Sequence, residues 1–291
     1  MAGNREQDGF NRFYGADVAG ADDSTLKIDL DYELAWLAGL VRPSTPLAIP
    51  RTRYYMEKGH LLLKAFEWAD FDHVVGRRVL DVACGPGYFA TLFALRGAQV
   101  DGVDLSEVAV ATARRRAALC GVADRCRFHV LNAQDLNLFA NATFDLAFGS
   151  DALHHLHKYP GAIEEIARVL KPGGRLIFAS EPLGMNPLFE IPRRISIHLL
   201  GKAALGETTL SYGEMRRFVR SGVFASVRFH EAGLAFQLKR LFRRSIARPA
   251  VRRGLNRLYR LDAWLLDRLP FLRRFCGEVT VEYRKAGGEG A

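Results

Sequence analysis

Between residues 77 and 181 the chain alternates between two textures. Short apolar runs at 79–82, 99–103, 127–131, 144–148 and 175–179 predict strands. Stretches at 89–96, 107–120 and 162–170 carry apolar residues every three or four positions and predict amphipathic helices between them. Short apolar strands separated by helices form parallel sheets sheltered on each side. Right-handed crossovers then make the arrangement doubly wound. Two further strands are expected at 223–229 and 278–283, with a basic, helical stretch between them. The expected fold is α/β: a doubly wound, seven-stranded sheet under a helical cap, its sixth and seventh strands split by a helical insertion.

The flanks read differently. Leu30, Leu34, Leu37 and Leu40 recur at helical spacing around Trp36 and Ala38. A link with Pro43, Pro46 and Pro50 follows, then a second helix over 54–68. Residues 1–75 are expected as an N-terminal helical lid. Residues 76–232 and 276–285 form the core, with an insertion at 181–210 that holds Pro182, Pro187 and Pro192. Residues 233–275 form the basic helical cap.

Composition adds mainly exclusions. The chain has 291 residues, 49% hydrophobic and 25% charged, which removes collagen-like and disordered classes. No apolar run approaches the roughly 18 residues that would span a bilayer. The first twenty residues lack a basic stretch followed by an apolar one, so no secretory signal is expected. Cys84, Cys120, Cys126 and Cys276 form no C-x-x-C pair and no zinc-spaced cluster. Neither a metal site nor a disulfide framework is expected, and the expected compartment is the cytoplasm.

Charge is unevenly distributed along the chain. The net charge is +9, yet residues 1–236 carry 27 basic and 27 acidic side chains. Residues 237–275 carry twelve basic side chains against Asp262 and Asp267, a local +10. Their leucines and aromatics recur at helical spacing, which predicts amphipathic helices with basic outer faces. Such faces suit plain solvation, an anionic membrane surface or lipid-like substrate, or an acidic carrier protein or nucleic acid.

The candidate chemistry lies where the first strand ends, in Asp81-Val82-Ala83-Cys84-Gly85-Pro86-Gly87. A strand running into a glycine turn and then a helix brings backbone close to a ligand. About twenty residues on, the second strand ends at Asp104, where an acid can accept both hydroxyls of a ribose. The third glycine of a dinucleotide motif and the lysine of a P-loop are both missing. A nucleoside ligand without phosphates therefore fits better than NAD or ATP.

These residues resemble a class I S-adenosylmethionine-dependent methyltransferase of the small-molecule type, with its Rossmann-like fold. Asn132-Ala133-Gln134-Asp135-Leu136 resembles the adenine-binding turn after strand 3. Residues 144–156 resemble strand 4 and its following loop, and residues 166–176 the helix–turn–strand 5 unit. The match covers about 105 of the 291 residues. Two positions depart from the pattern: Ala83 replaces the first motif glycine, and Asn132 the usual acid of the adenine turn. The resemblance implies S-adenosyl-L-methionine as cofactor, S-adenosyl-L-homocysteine as product, and binding through Asp81, Ala83, Gly85, Gly87, Asp104, Leu105, Asn132, Ala133, Gln134 and Ser150.

His154 and His155 follow strand 4, and Glu181 ends strand 5. An oxygen nucleophile needs a base, and a histidine steadied by a carboxylate can serve. The resemblance to sugar and polyketide O-methyltransferases implies this use. Tyr14, Tyr54 and Tyr55 lie in the expected lid, where aromatics can shield a sulfonium. The expected activity is O-methylation of a small-molecule acceptor, a secondary metabolite, by in-line SN2 transfer. Two alternatives keep the ligand: a cyclase, decarboxylase or hydroxylase that uses it without methyl transfer, and methylation of a lipid or quinone-like acceptor at a membrane. Gly149-Ser150-Asp151-Ala152-Leu153 lacks the Pro-Pro-aromatic turn of amine-methylating DNA enzymes, so nucleic acid is disfavoured.

Overall fold

The computed structural model describes residues 2–18, 22–37, 50–184, 209–235 and 248–287, with single positions such as Asn186, Glu190 and Leu238 between the later blocks. Most of the insertion expected at 181–210, the prolines Pro43, Pro46, Pro187 and Pro192, and most of 236–247 lie outside the described residues, as do Leu40 and the side chains of Tyr54 and Tyr55.

Seven strands form one sheet: β1 Arg78–Val82, β2 Gln99–Asp104, β3 Cys126–Val130, β4 Phe144–Ser150, β5 Leu170–Pro182, β6 Ser226–Ala232 and β7 Glu278–Arg284. Their order is β3-β2-β1-β4-β5-β7-β6. The first five are parallel, and β7 runs antiparallel between β5 and β6. Because β7 alone is reversed, the segment joining β6 to β7 leaves and re-enters on one rim. Ala232 and Pro182 both pair with Glu278 there. That rim also holds the carboxyl ends of β1 to β5.

Alternation along the strands feeds two cores. On β1, Val79 faces one side, while Leu80 and Val82 face the other. One face is covered by α4 (Pro50–Ala69), α5 (Tyr88–Leu95) and α6 (Glu107–Leu119). Phe66 stacks there on Phe71 at 4.6 Å and on Phe148 of β4 at 6.0 Å. The other face is covered by α8 (Ala162–Val169) and α9 (Tyr212–Arg220). Its buried residues include Ile163, Ile166, Met215 and Phe218, packed around Phe178 and Tyr283. Helices α1 (Ala2–Val18), α2 (Asp23–Leu26) and α3 (Leu30–Leu37) precede the core, and the short α7 (Leu153–Leu156) follows β4. The helix α10 (Pro249–Arg268) lies in the β6–β7 connection.

One expected strand boundary moves. Within the expected lid, Leu61, Leu62, Ala65 and Ala69 of α4 are fully buried against the sheet. Thr280 Oγ1 of β7 donates to the Leu61 carbonyl at 3.3 Å, and Arg175 of β5 donates to the Trp68 carbonyl at 2.5 Å. Strand β6 begins at Ser226 instead of 223. Gly222 turns the chain at φ 80° and the Phe224 N–H bonds the Phe218 carbonyl, so residues 222–224 close the end of α9 before pairing starts.

Candidate active site

The glycine turn after β1 is built by three left-handed residues: Ala83 at φ 53°, Gly85 at 52° and Gly87 at 72°. Ala83 keeps the backbone a glycine would adopt, at a cost of about 1–2 kcal/mol for its methyl group. Gly87 has a packing reason as well, since a Cβ there would lie 2.6 Å from Ala113 Cβ of α6. Asp81 is 1% exposed, and its Oδ2 accepts from Ala90 N–H in the first turn of α5 at 2.9 Å. Burial, reinforced by the charge of Asp104, pushes its carboxyl up to about 8.

Asp104 ties the first two strand ends together. Its Oδ2 accepts from Gly85 N–H at 2.8 Å and its Oδ1 from Ser106 N–H at 2.9 Å. Leu105, between them, is half-buried. The cap of α6 is Ser106, whose Oγ accepts from Ala109 N–H. The Leu131 N–H bonds the Asp104 carbonyl at 3.0 Å, which sets the next turn beside the acid. In that turn Asn132 Oδ1 accepts from Gln134 N–H at 3.0 Å, Ala133 is buried, and Gln134 Nε2 donates to the Pro160 carbonyl at 2.9 Å.

The third group sits at the ends of β4 and β5. The β5–β7 ladder shifts register between Phe178 and Glu181, with Ser180 at φ 64°. Such a bulge re-aims a side chain. Here it accompanies a fully buried Glu181 whose carboxylate receives four bonds. Oε1 accepts from Ala152 and Leu153 N–H at 2.7 and 3.0 Å, and Oε2 from His154 N–H at 3.1 Å. His154 Nδ1 lies 2.9 Å from Oε2. The Nδ1 proton thus points at Glu181 and the lone pair of the neutral ring is on Nε2. His154 is 4% exposed.

His155 packs its ring 4.1 Å from His154 and edge-on to Phe10 of α1 at 6.0 Å. Burial, then the neighbouring His154, lowers it to about 4, so it is neutral near pH 7. Ser150 Oγ, at the end of β4, is buried and has no hydrogen-bond partner among the described residues. Among the described residues five non-glycines have positive φ, and three of them, Ala83, Asp151 and Ser180, cluster at this rim. Strain concentrated in one place is a mark of a working site.

Several contributors, Tyr14 apart, are absent from the sequence reading. Asn11 of α1 accepts from Ser106 Oγ at 2.7 Å, so α1 spans from the end of β2 to His155. Tyr14 is half-buried on that helix, its ring against Phe13 at 5.3 Å. Tyr88 donates to Glu33 of α3 at 2.8 Å, and Arg116 lies over the Tyr88 ring while donating to the Pro86 carbonyl. Tyr88 follows Gly87 directly, so the motif itself could have flagged it.

Residues 80–178 match the family described as "Methyltransferase domain". Residues 80–178 form a methyltransferase domain. The methyltransferase domain resembles a ubiquinone biosynthesis O-methyltransferase of Alkalilimnicola ehrlichii, 36% identical over 112 residues, 38% of this chain and 44% of the relative. It also resembles the 27-O-demethylrifamycin SV methyltransferase of Amycolatopsis mediterranei, 33% identical over 138 residues, 45% and 50% of the two chains. The chain thus spans about half the length of these curated relatives. Beyond the methyltransferase domain, the fold resemblance extends further. A geranyl diphosphate C-methyltransferase from Streptomyces coelicolor A3(2) superposes with a TM-score of 0.56 at 17% identity, covering 97% of this chain and 98% of that one.

Proposed function

We propose that the protein transfers a methyl group from S-adenosyl-L-methionine to a hydroxyl oxygen of a small molecule, with His154 as the base. The buried Glu181–His154 pair carries this reading, because it fixes one tautomer at the rim where the strand ends converge. Relatives named for O-methylation support oxygen as the accepting atom. A secondary metabolite is the acceptor class we favour.

The rim fits the cofactor chemically. Asp104 accepts from the turn amides through both oxygens, and a carboxylate oxygen can accept more than one hydrogen bond, so ribose hydroxyls suit this position. Asn132 and Ala133 would flank adenine, and the partnerless Ser150 hydroxyl offers a donor to the methionyl end. Asp104 supplies the cradle's acidic side chain, which suits a cationic sulfonium, while Asp81, raised to about 8 by burial, is mostly neutral near pH 7. When bound, the cofactor supplies an electrophilic methyl group.

The chain's own residues then align the acceptor and move one proton. His154 Nε2 takes the hydroxyl proton, and Glu181 stabilises the imidazolium that results. His155 stays neutral beside it, so no second positive charge opposes that step. Helix α1 spans the mouth, and closing such a site excludes water.

The test has two parts. Calorimetry with S-adenosyl-L-methionine is expected to show binding; silence at millimolar ligand would refute the reading. With labelled cofactor and a hydroxylated acceptor that turns over, His154→Ala is expected to lower kcat ~10²–10⁴-fold. An unchanged kcat removes the base from the mechanism, and cofactor consumption without a labelled acceptor points to chemistry other than methyl transfer.

A further inference from the structure

We propose that the outer face of α10 and the turn after it seat the protein on an anionic lipid surface. The proposal concerns a face built separately from the methyltransferase domain and goes beyond the methyl-transfer reading.

Helix α10 has two different sides. Inward, Leu255 and Leu266 are buried, Tyr259 packs its ring 4.2 Å from His60 of α4, and the buried Asp262 accepts from Ala235 N–H at 3.1 Å. The helix is therefore held against the body by its own apolar side. Outward, Arg253, Arg257, Arg260, Leu261, Trp264 and Arg268 are exposed. Positions 257, 261, 264 and 268 follow one another at intervals of three and four, so basic and apolar side chains share one stripe.

The exposed apolar groups set this stripe apart from a solvated basic helix. Leu261 and Trp264 are each 49% exposed, and Phe271, just past the helix, is 56% exposed. Scattered single hydrophobes on a surface need no explanation, but these lie within eleven residues of one another amid arginines. Arg268 covers the Trp264 ring at 4.4 Å. Indole and guanidinium together suit the headgroup layer, where the ring meets acyl chains and the charge meets phosphate.

Charge decides the lipid. Residues 248–275, which carry α10 and the turn after it, hold eight arginines against Asp262 and Asp267. Asp267, an exposed acid of the face, lies 3.6 Å from Arg273. A basic face of this kind is drawn to phosphatidylglycerol-like headgroups and not to neutral ones. Nucleic acid would satisfy the arginines and leave Leu261 and Phe271 in water, so lipid fits better. No described helix is long and apolar enough to cross a membrane, so the contact is peripheral.

Topology gives the contact a direction. The connection that carries α10 leaves β6 at Ala232 and returns at Glu278, both beside Pro182 at the end of β5. The lipid-facing face is thus tethered to the same rim as Glu181 and His154.

Cosedimentation of the full chain with vesicles tests this. Recovery is expected with phosphatidylcholine–phosphatidylglycerol vesicles, not with phosphatidylcholine alone, and it should fall as salt rises. The pair Arg257→Gln and Arg260→Gln is expected to weaken vesicle binding about thirtyfold. Trp264→Ala is expected to weaken it roughly tenfold. Equal recovery on both vesicle types, no recovery on either, or variants that bind like the wild type would overturn the proposal. So would retention of an RNA oligonucleotide without vesicle binding. Calorimetry of the same variants with S-adenosyl-L-methionine keeps the two readings apart. Vesicle binding without cofactor binding would sink the methyl-transfer reading and leave the lipid face standing.

Discussion

Glu181 is the residue on which most depends, because one buried carboxylate both starts α7 and orients His154. Glu181→Gln keeps the shape but puts an amide NH₂ among donors. We expect a loss of about 2–3 kcal/mol in urea unfolding, together with a fall in kcat larger than any change in KM for the acceptor. Two other buried groups give stability a pH dependence of opposite signs. His155 is lowered to about 4 in the native state, so the unfolded chain protonates first. Its contribution is complete above about pH 6.5 and is lost as pH falls through about 4. Asp81 is raised to about 8, so its contribution is complete below about pH 4 and is lost as pH rises through about 8. In the wild type the slopes oppose each other below pH 6.5, and only the Asp81 decline remains above it. Asp81→Asn should leave the acid-side loss alone, and His155→Phe the decline toward pH 8. Chemical denaturation across pH 4–8 reads both, and an unaltered profile in either variant contradicts the assignment.

At the scale of elements, the close approach of α5 and α6 rests on Gly87. Gly87→Ala should cost about 2–4 kcal/mol, from a methyl at positive φ and its collision with Ala113. Adding Ala113→Gly should return at least ~1 kcal/mol of that, a coupling that a double-mutant cycle measures. The parallel strands and their helices were legible because buried strands are apolar and turn residues punctuate them. Other elements were not. Helix α7 has four residues, too few for any periodicity, and forms where Glu181 accepts its amides. Helix α9 did carry a signal: Ser211 and Glu214 form a reciprocal capping box, visible as Ser-x-x-Glu. The reversal of β7 left no local trace, since apolar alternation is the same in either direction.

For the whole molecule, the sequence disclosed which residues line the rim but not how they are joined. Asp81, Asp104 and the histidines were readable from the motif. The bulge that aims Glu181 depends on pairing with β7, about a hundred residues away, and Asn11 meets Ser106 across 95 positions. Such contacts have no short-range signature. They also place the N-terminal helix against the rim, where we expect it to serve the proposed cofactor more than the fold. Deleting residues 2–18 is expected to raise the Kd for S-adenosyl-L-methionine at least ~10-fold by removing the mouth-spanning helix, while thermal unfolding shifts by only a few degrees. A collapse of the fold in that variant would show instead that α1 is structural.

The one reversed strand has a practical corollary. Because the β6–β7 connection departs and returns at neighbouring residues, exchanging it between relatives should leave strand order and the His154–Glu181 bond intact, provided Tyr259 and Leu266 keep their partners in the body. The proposed lipid contact would then be open to change apart from the proposed proton transfer.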